Sequence, residues 1–217
     1  MVNQYQVRMS KIIITIFALY LLLLAIMYVF QRKLLFLPDT SIDVPITYGL
    51  QEYEEIMAVS SDGYKLQLWY KKAKAGFPTI LYFHGNAANL ANRAGSFKAF
   101  SDLGFGVLAL SYRGYGKSTG SPSERGLYRD ARAALAYLNY ELEVPIDQVI
   151  YYGESLGSGV AVQLATEQKP ALIVLEAPYT SVANRAAEIY FYIPVHLLIK
   201  DHFNSLKKIN KVHCPLL

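Results

Sequence analysis

The chain has 217 residues, 53% of them hydrophobic, which suffices for one domain with a substantial core plus a membrane element and falls short of two full domains. Its net charge of +4 first suggests a polyanionic partner, but Arg8, Lys11, Arg32 and Lys33 flank a single apolar run. Residues 34–217 balance seventeen basic against seventeen acidic side chains, so the composition excludes a general nucleic-acid-binding surface. One cysteine, Cys214, permits no internal disulfide.

Residues 1–11 form a short flank. Residues 12–30 then run without a charge or a proline, long enough to cross about 30 Å of hydrocarbon as a helix. The run exceeds the apolar core of a signal peptide, and no small-residue cleavage site precedes Gln31-Arg32-Lys33. A single-pass anchor in membrane lipid is therefore expected over 12–30. Basic residues lie on both sides, and the amino terminus tips the count toward a cytoplasmic start, with the domain on the extracytoplasmic side. Residues 31–49, with Pro38 and Pro45, read as a polar connector.

The domain is expected over 50–217. Arms at 55–60 and 65–70 flank the turn Ser61-Asp62-Gly63, and Leu66, Leu68 and Tyr70 alternate with Lys65, Gln67 and Trp69 as in a strand with one buried face. Strands follow at 79–83, 106–111, 148–152 and 171–175, with helices at 90–103, 122–142 and 157–166 between them. Strands apolar on both faces, separated by helices, predict an α/β fold: a mostly parallel sheet covered on both sides. For the long helix, Ser121 is the expected cap, with Pro122 at the first helical position and Glu124 at the third. Leu127, Ala131, Ala134, Leu135 and Leu138 form its apolar stripe.

Gly153-Glu154-Ser155-Leu156-Gly157 follows a strand and opens a helix, the setting of a nucleophile elbow. The chain must reverse there within a few residues, straining Ser155 and projecting its hydroxyl above the sheet. Gly153 and Gly157 remove the side chains that would collide. The helix aims its free amides at the site, so the N–H of Leu156 can donate to a developing oxyanion. A second donor is expected from the loop after strand 79–83, His84-Gly85-Asn86-Ala87, with the backbone N–H of Asn86 as the choice. His84 lies in that loop and reads as structural, as does Gly85.

Context carries this inference, because the pentapeptide pattern recurs at Gly116-Lys117-Ser118-Thr119-Gly120, read as a surface turn. Gly116-Lys117-Ser118 also lacks the first glycine of a P-loop, that position being Ser111, so no nucleotide, cofactor or metal site is expected. Downstream, His196, His202 and His213 sit in or just beyond an apolar, aromatic stretch, 182–208, that reads as a helical cap. Such a cap favours an acyl chain over a sugar or phosphate. Glu176, at the correct end of the sheet, is a possible orienting acid.

Five segments together, Phe83-His84-Gly85-Asn86-Ala87, Tyr112-Arg113-Gly114-Tyr115-Gly116-Lys117-Ser118, Gly120-Ser121-Pro122-Ser123-Glu124, Tyr152-Gly153-Glu154-Ser155-Leu156-Gly157 and Ala177-Pro178-Tyr179-Thr180-Ser181, make the chain resemble an α/β-hydrolase of the membrane-anchored serine hydrolase branch. The resemblance implies a three-layer sandwich and Ser155 as nucleophile, with Asn86 and Leu156 at the oxyanion hole. It also implies a carboxylic ester, thioester or amide as substrate, protein depalmitoylases being among this branch. Ala88 departs from the glycine common at its position. Residues 210–217 look like the approach to another core strand, after which the family places its acid, a further strand, a helix and its histidine. The expectation is a serine hydrolase truncated before its catalytic acid and histidine, and so impaired. The alternative is a non-catalytic membrane-anchored relic or acyl-binding scaffold.

Overall fold

The computed structural model describes residues 4–217; the first three residues of the amino-terminal flank lie outside them. In chain order the elements are α1 (Gln4–Leu35), β1 (Leu37–Pro38), β2 (Glu54–Val59), β3 (Lys65–Lys71), β4 (Thr79–Phe83), β5 (Ala87–Ala88), α2 (Ala94–Asp102), β6 (Gly106–Leu110), α3 (Glu124–Tyr140), β7 (Val149–Glu154), α4 (Leu156–Ala165), β8 (Leu172–Glu176), α5 (Val182–Ile189) and α6 (Val195–Leu198).

The α1 helix is long and apolar enough to cross a membrane. It runs past the uncharged stretch at both ends, because lysine, arginine and glutamine are good helix formers and nothing there breaks the pattern. Its half-buried positions, Leu24, Met27, Gln31 and Leu35, recur every three or four residues and mark one face turned toward the domain. The stretch read as a polar connector is tied in along its length. Phe36 is buried in the core, and β1 pairs in parallel with β5, Leu37 opposite Ala87.

Six strands form the main sheet in the order β2, β3, β6, β4, β7, β8. The β2–β3 and β3–β6 pairs are antiparallel, and β6, β4, β7 and β8 run parallel. Residues 215–217 lie alongside β8, with the Leu217 N–H donating to the Ile173 carbonyl and the Leu175 N–H to the Leu217 carbonyl. Alternate residues of each strand serve two cores. Leu81, Phe83, Leu108 and Leu110 pack with the stripe of α3 and with Val160, Ala161 and Leu164 of α4. Ile80, Tyr82, Val107 and Ala109 pack with Leu90, Ala94 and Phe97 around α2.

Three local expectations change. Gln67 and Trp69 are as buried as Leu66 and Leu68, because β3 is an interior strand covered on both faces. Gln67 meets this by donating to Glu55 and to the Asp43 carbonyl. The helix expected from Pro122 starts at Glu124, and its cap is Ser123, which accepts from the Gly126 N–H at 3.1 Å. Ser118, read as part of a surface turn, is buried. Its hydroxyl accepts from the Gln67 N–H and donates to the Ser111 carbonyl, so it closes a turn and faces no solvent.

That turn belongs to a loop held by Arg113, whose guanidinium bonds both Asp62 and the fully buried Asp130 at 2.7–3.1 Å. Arginine suits this position, since its planar fork satisfies two carboxylates at once.

Candidate active site

The end of β7, the start of α4 and the loop after β4 converge at Ser155. Ser155 sits at φ 48°, ψ −112°, a region that side-chain-bearing residues rarely adopt. Two hydrogen bonds help hold it there: its N–H donates to the Glu176 carbonyl at 2.8 Å, and its carbonyl accepts from the Ser158 hydroxyl at 2.6 Å. The flanking glycines are required by close approach. A Cβ on Gly153 would meet the Gly157 carbonyl oxygen and the Ser158 Cα at 2.6 Å, and one on Gly157 would overlap the Phe83 carbonyl.

Asn86, Ser155 and Leu156 line one cavity of about 660 Å³. Leu156 is the first residue of α4, so its N–H has no intrahelical acceptor. Two other polar groups of Asn86 are occupied: its carbonyl accepts from the Leu37 N–H and the Tyr115 hydroxyl, and its side-chain NH2 donates to the Leu35 carbonyl. The carboxyl end of the apolar helix is thus hydrogen-bonded to the residue that faces Ser155 from the second loop.

His84 lies beneath the cavity, completely buried, with Nδ1 2.7 Å from the Gly85 carbonyl and its ring 4.3 Å from that of Tyr112. Burial, helped by the Arg93 charge, lowers its pKa to about 4, so the ring is neutral at pH 7. His196, His202 and His213 are exposed, and among the described residues no histidine lines the cavity. The Glu176 carboxylate accepts from the Tyr152 hydroxyl, while its carbonyl holds the Ser155 amide.

Two features escaped the sequence reading. The first is a clamp beneath the elbow. Arg93 makes paired bonds of 2.9 and 3.0 Å to Glu154 and donates to the Ala87 and Asn89 carbonyls, while the Tyr82 hydroxyl bonds Glu154 at 2.8 Å. It locks the elbow to the loop carrying Asn86, and Gly85 passes with no side chain between them. Burial pushes the Glu154 pKa up, but the Arg93 and Tyr82 bonds outweigh it and hold the carboxylate below its usual range. Glu154 occupies a variable position of the elbow pattern, so the spacing carried no signal for it.

The second is the cavity's far wall, built from Met27, Leu34 and Leu35 of α1 together with Ile193, Leu198 and Ile199. Buried Asp201 joins the two sides: it bonds Arg32 at 2.7 and 3.2 Å and accepts from the Glu124 N–H at the start of α3. A carboxylate at a helix start is favoured by the unpaired amides there.

Comparison with known proteins agrees with this architecture. Residues 78–196 match the model of the alpha/beta hydrolase fold. The chain belongs to the alpha/beta hydrolase family. Among its relatives, the uncharacterized protein Rv2307c of Mycobacterium tuberculosis is 38% identical over 86% of this chain and 67% of its own length. The lysophosphatidylserine lipase ABHD12 of Danio rerio is 33% identical over 69% of this chain. The chain spans 44% of that lipase. An alpha-beta hydrolase from Vibrio vulnificus shares the fold, with a TM-score of 0.67 at 21% identity, covering 83% of this chain and 78% of its own. As an alpha/beta hydrolase, the protein carries its elbow on the strand next to the sheet's central β4.

Proposed function

We propose that this protein is a serine hydrolase of carboxylic esters, thioesters or amides, with Ser155 as nucleophile and the N–H groups of Asn86 and Leu156 as oxyanion donors. The Ser155 oxygen attacks the acyl carbon while its proton passes to a base. The carbonyl oxygen takes up charge between the two N–H groups, and collapse breaks the bond to the leaving group, which departs protonated. Water then attacks the acyl-serine, releasing the acid and restoring the hydroxyl.

The observation that carries this reading is the strained Ser155 backbone at a cavity shared with two backbone donors. Similarity to a lysophosphatidylserine lipase supports an ester with an acyl chain, and the predominantly apolar cavity wall supports it independently.

On this reading the Ser155 proton needs a base that no histidine among the described residues supplies at the cavity, so turnover by these residues alone is expected to be slow. That same observation favours a second reading, an acyl-binding scaffold in which the pocket is kept and the chemistry is not. The two readings separate on covalent reaction. An alkyl fluorophosphonate forms an adduct on Ser155 in the hydrolase, faster when free imidazole is added as an external base, and the scaffold binds the alkyl chain reversibly. On the hydrolase reading, α1 is the membrane anchor and the substrate is met at the membrane surface.

A further inference from the structure

Contact between α1 and the segment 189–201 extends well beyond what a tether requires. The Tyr20 hydroxyl donates to the Tyr192 carbonyl at 2.7 Å. Eleven residues on, the Gln31 side chain donates to the Leu198 carbonyl at 3.1 Å and accepts from the Lys200 N–H at 2.7 Å. Between them the Lys200 ammonium lies 4.0 Å from the Tyr28 ring centroid. At 1.5 Å per residue, Tyr20 and Gln31 are separated by about 16 Å of helix and fall within about 20° of one face. If Arg32 and Lys33 mark the edge of a hydrocarbon layer about 30 Å thick, Tyr192 lies roughly at its mid-depth.

The composition of the segment suits that position. Residues 189–199 hold no lysine, arginine, aspartate or glutamate, and His196 is their one basic side chain. Phe191 and Leu197 are each 85% exposed, and Ile189 and Tyr192 are exposed beside them, a grouping of apolar side chains that water would disfavour. Charges bracket the segment in pairs, Arg185 with Glu188 before it and Asp201 with Arg32 after it.

Much of the backbone is suited as well, since main-chain groups surrounded by lipid must find partners within the protein; the N–H groups of Phe191 and Tyr192, in the turn after α5, have no such partner among the described residues. Here the N–H groups of Tyr190, Ile193, Val195, Leu197 and Ile199 donate within the segment or to α5, and Pro194 has none to satisfy. The carbonyls of Tyr192 and Leu198 are taken by α1.

We propose that residues 189–199 are embedded in the same leaflet as the carboxyl half of α1, opening the Ser155 cavity to acyl chains lying in that leaflet. The substrate is then an acyl ester or thioester resident in the membrane, drawn sideways past Ile193, Leu198 and Ile199. This second clause rests on the Ser155 reading; the embedding does not.

The test uses the full chain with Cys214→Ala, reconstituted in phosphatidylcholine vesicles and labelled with an environment-sensitive nitrobenzoxadiazole dye at Leu197→Cys. Phe191→Cys is a second probe, and Tyr140→Cys, 81% exposed on α3, is the aqueous control. The expected result is loss of emission at 197 and 191 with doxyl groups on the lipid chains and none with iodide, the reverse holding at 140. Iodide quenching at 197 and 191 equal to that at 140 overturns the proposal, whatever Ser155 does. Chain quenching at both sites with no Ser155 adduct leaves the embedding standing and removes the acyl-transfer reading.

Discussion

The two sides of the cavity around Ser155 are built in opposite ways. The elbow side is tightly held: Ser155 is bonded to Glu176 at the end of β8 and to Ser158 of α4, its glycines admit no side chain, and the part-buried Arg93–Glu154 clamp fixes the neighbouring loop. The cap side is a short helical segment held against α1 by a few polar contacts, with Ile193, Leu198 and Ile199 on the cavity and Phe191 and Leu197 turned outward. The contrast teaches that the geometry around Ser155 is set by the sheet and the loops tied to it, while the opposite wall of the cavity depends on a few contacts with α1.

The sharpest way to break the elbow side is Gly157→Ala. The added methyl meets the Phe83 main chain, which cannot yield as a side chain could, so a loss of about 3 kcal/mol is expected, read from the urea midpoint in detergent. A comparable effect follows from pH alone. Folded His84 has its pKa lowered to about 4 from the ordinary 6.5, so the unfolded chain takes up a proton that the folded chain refuses. This contribution is complete above pH 6.5 and is lost as pH falls toward 4, a drop of about 3 kcal/mol that His84→Gln should remove from the stability profile.

Arg93→Met is expected to cost about 2 kcal/mol, because Glu154 keeps its half-buried carboxylate without the partner that stabilises it. It should also slow any Ser155 adduct formation more than Tm alone would indicate, since the loop carrying Asn86 loses its tie to the elbow. The cap side should respond differently. Arg32→Gln removes the charged partner of buried Asp201, which keeps the Glu124 N–H, and should cost about 1–2 kcal/mol, and it should speed proteolysis within 189–200 while the sheet domain stays intact. Equal protection of both sides in that variant would contradict the contrast.

How much was legible in the sequence follows the same division. The parallel sheet, its helices on both faces and the elbow rest on local patterns: apolar runs of strand length, a helical stripe, and glycines at fixed spacing around Ser155. What was missed depends on partners distant in sequence. Nothing local indicates that Glu154 meets Arg93, that Asp201 joins Arg32 to the start of α3, or that Asn86 binds the end of α1. The cap of α3 shifted from Ser121 to Ser123 because two candidate serines stand two residues apart, and only the geometry of the turn distinguishes them. Gln67 and Ser118 misled in the same way, since a polar residue in an interior position is revealed by its bonds and not by its type.

The central claim is that Ser155 is the reactive group of the cavity. Its most direct measurement is the intact mass and peptide map of the protein after exposure to an alkyl fluorophosphonate, with and without free imidazole. The account predicts a single adduct on Ser155, formed faster with imidazole and absent from Ser155→Ala. An adduct that persists in Ser155→Ala, or none on the native chain even with imidazole, would contradict it.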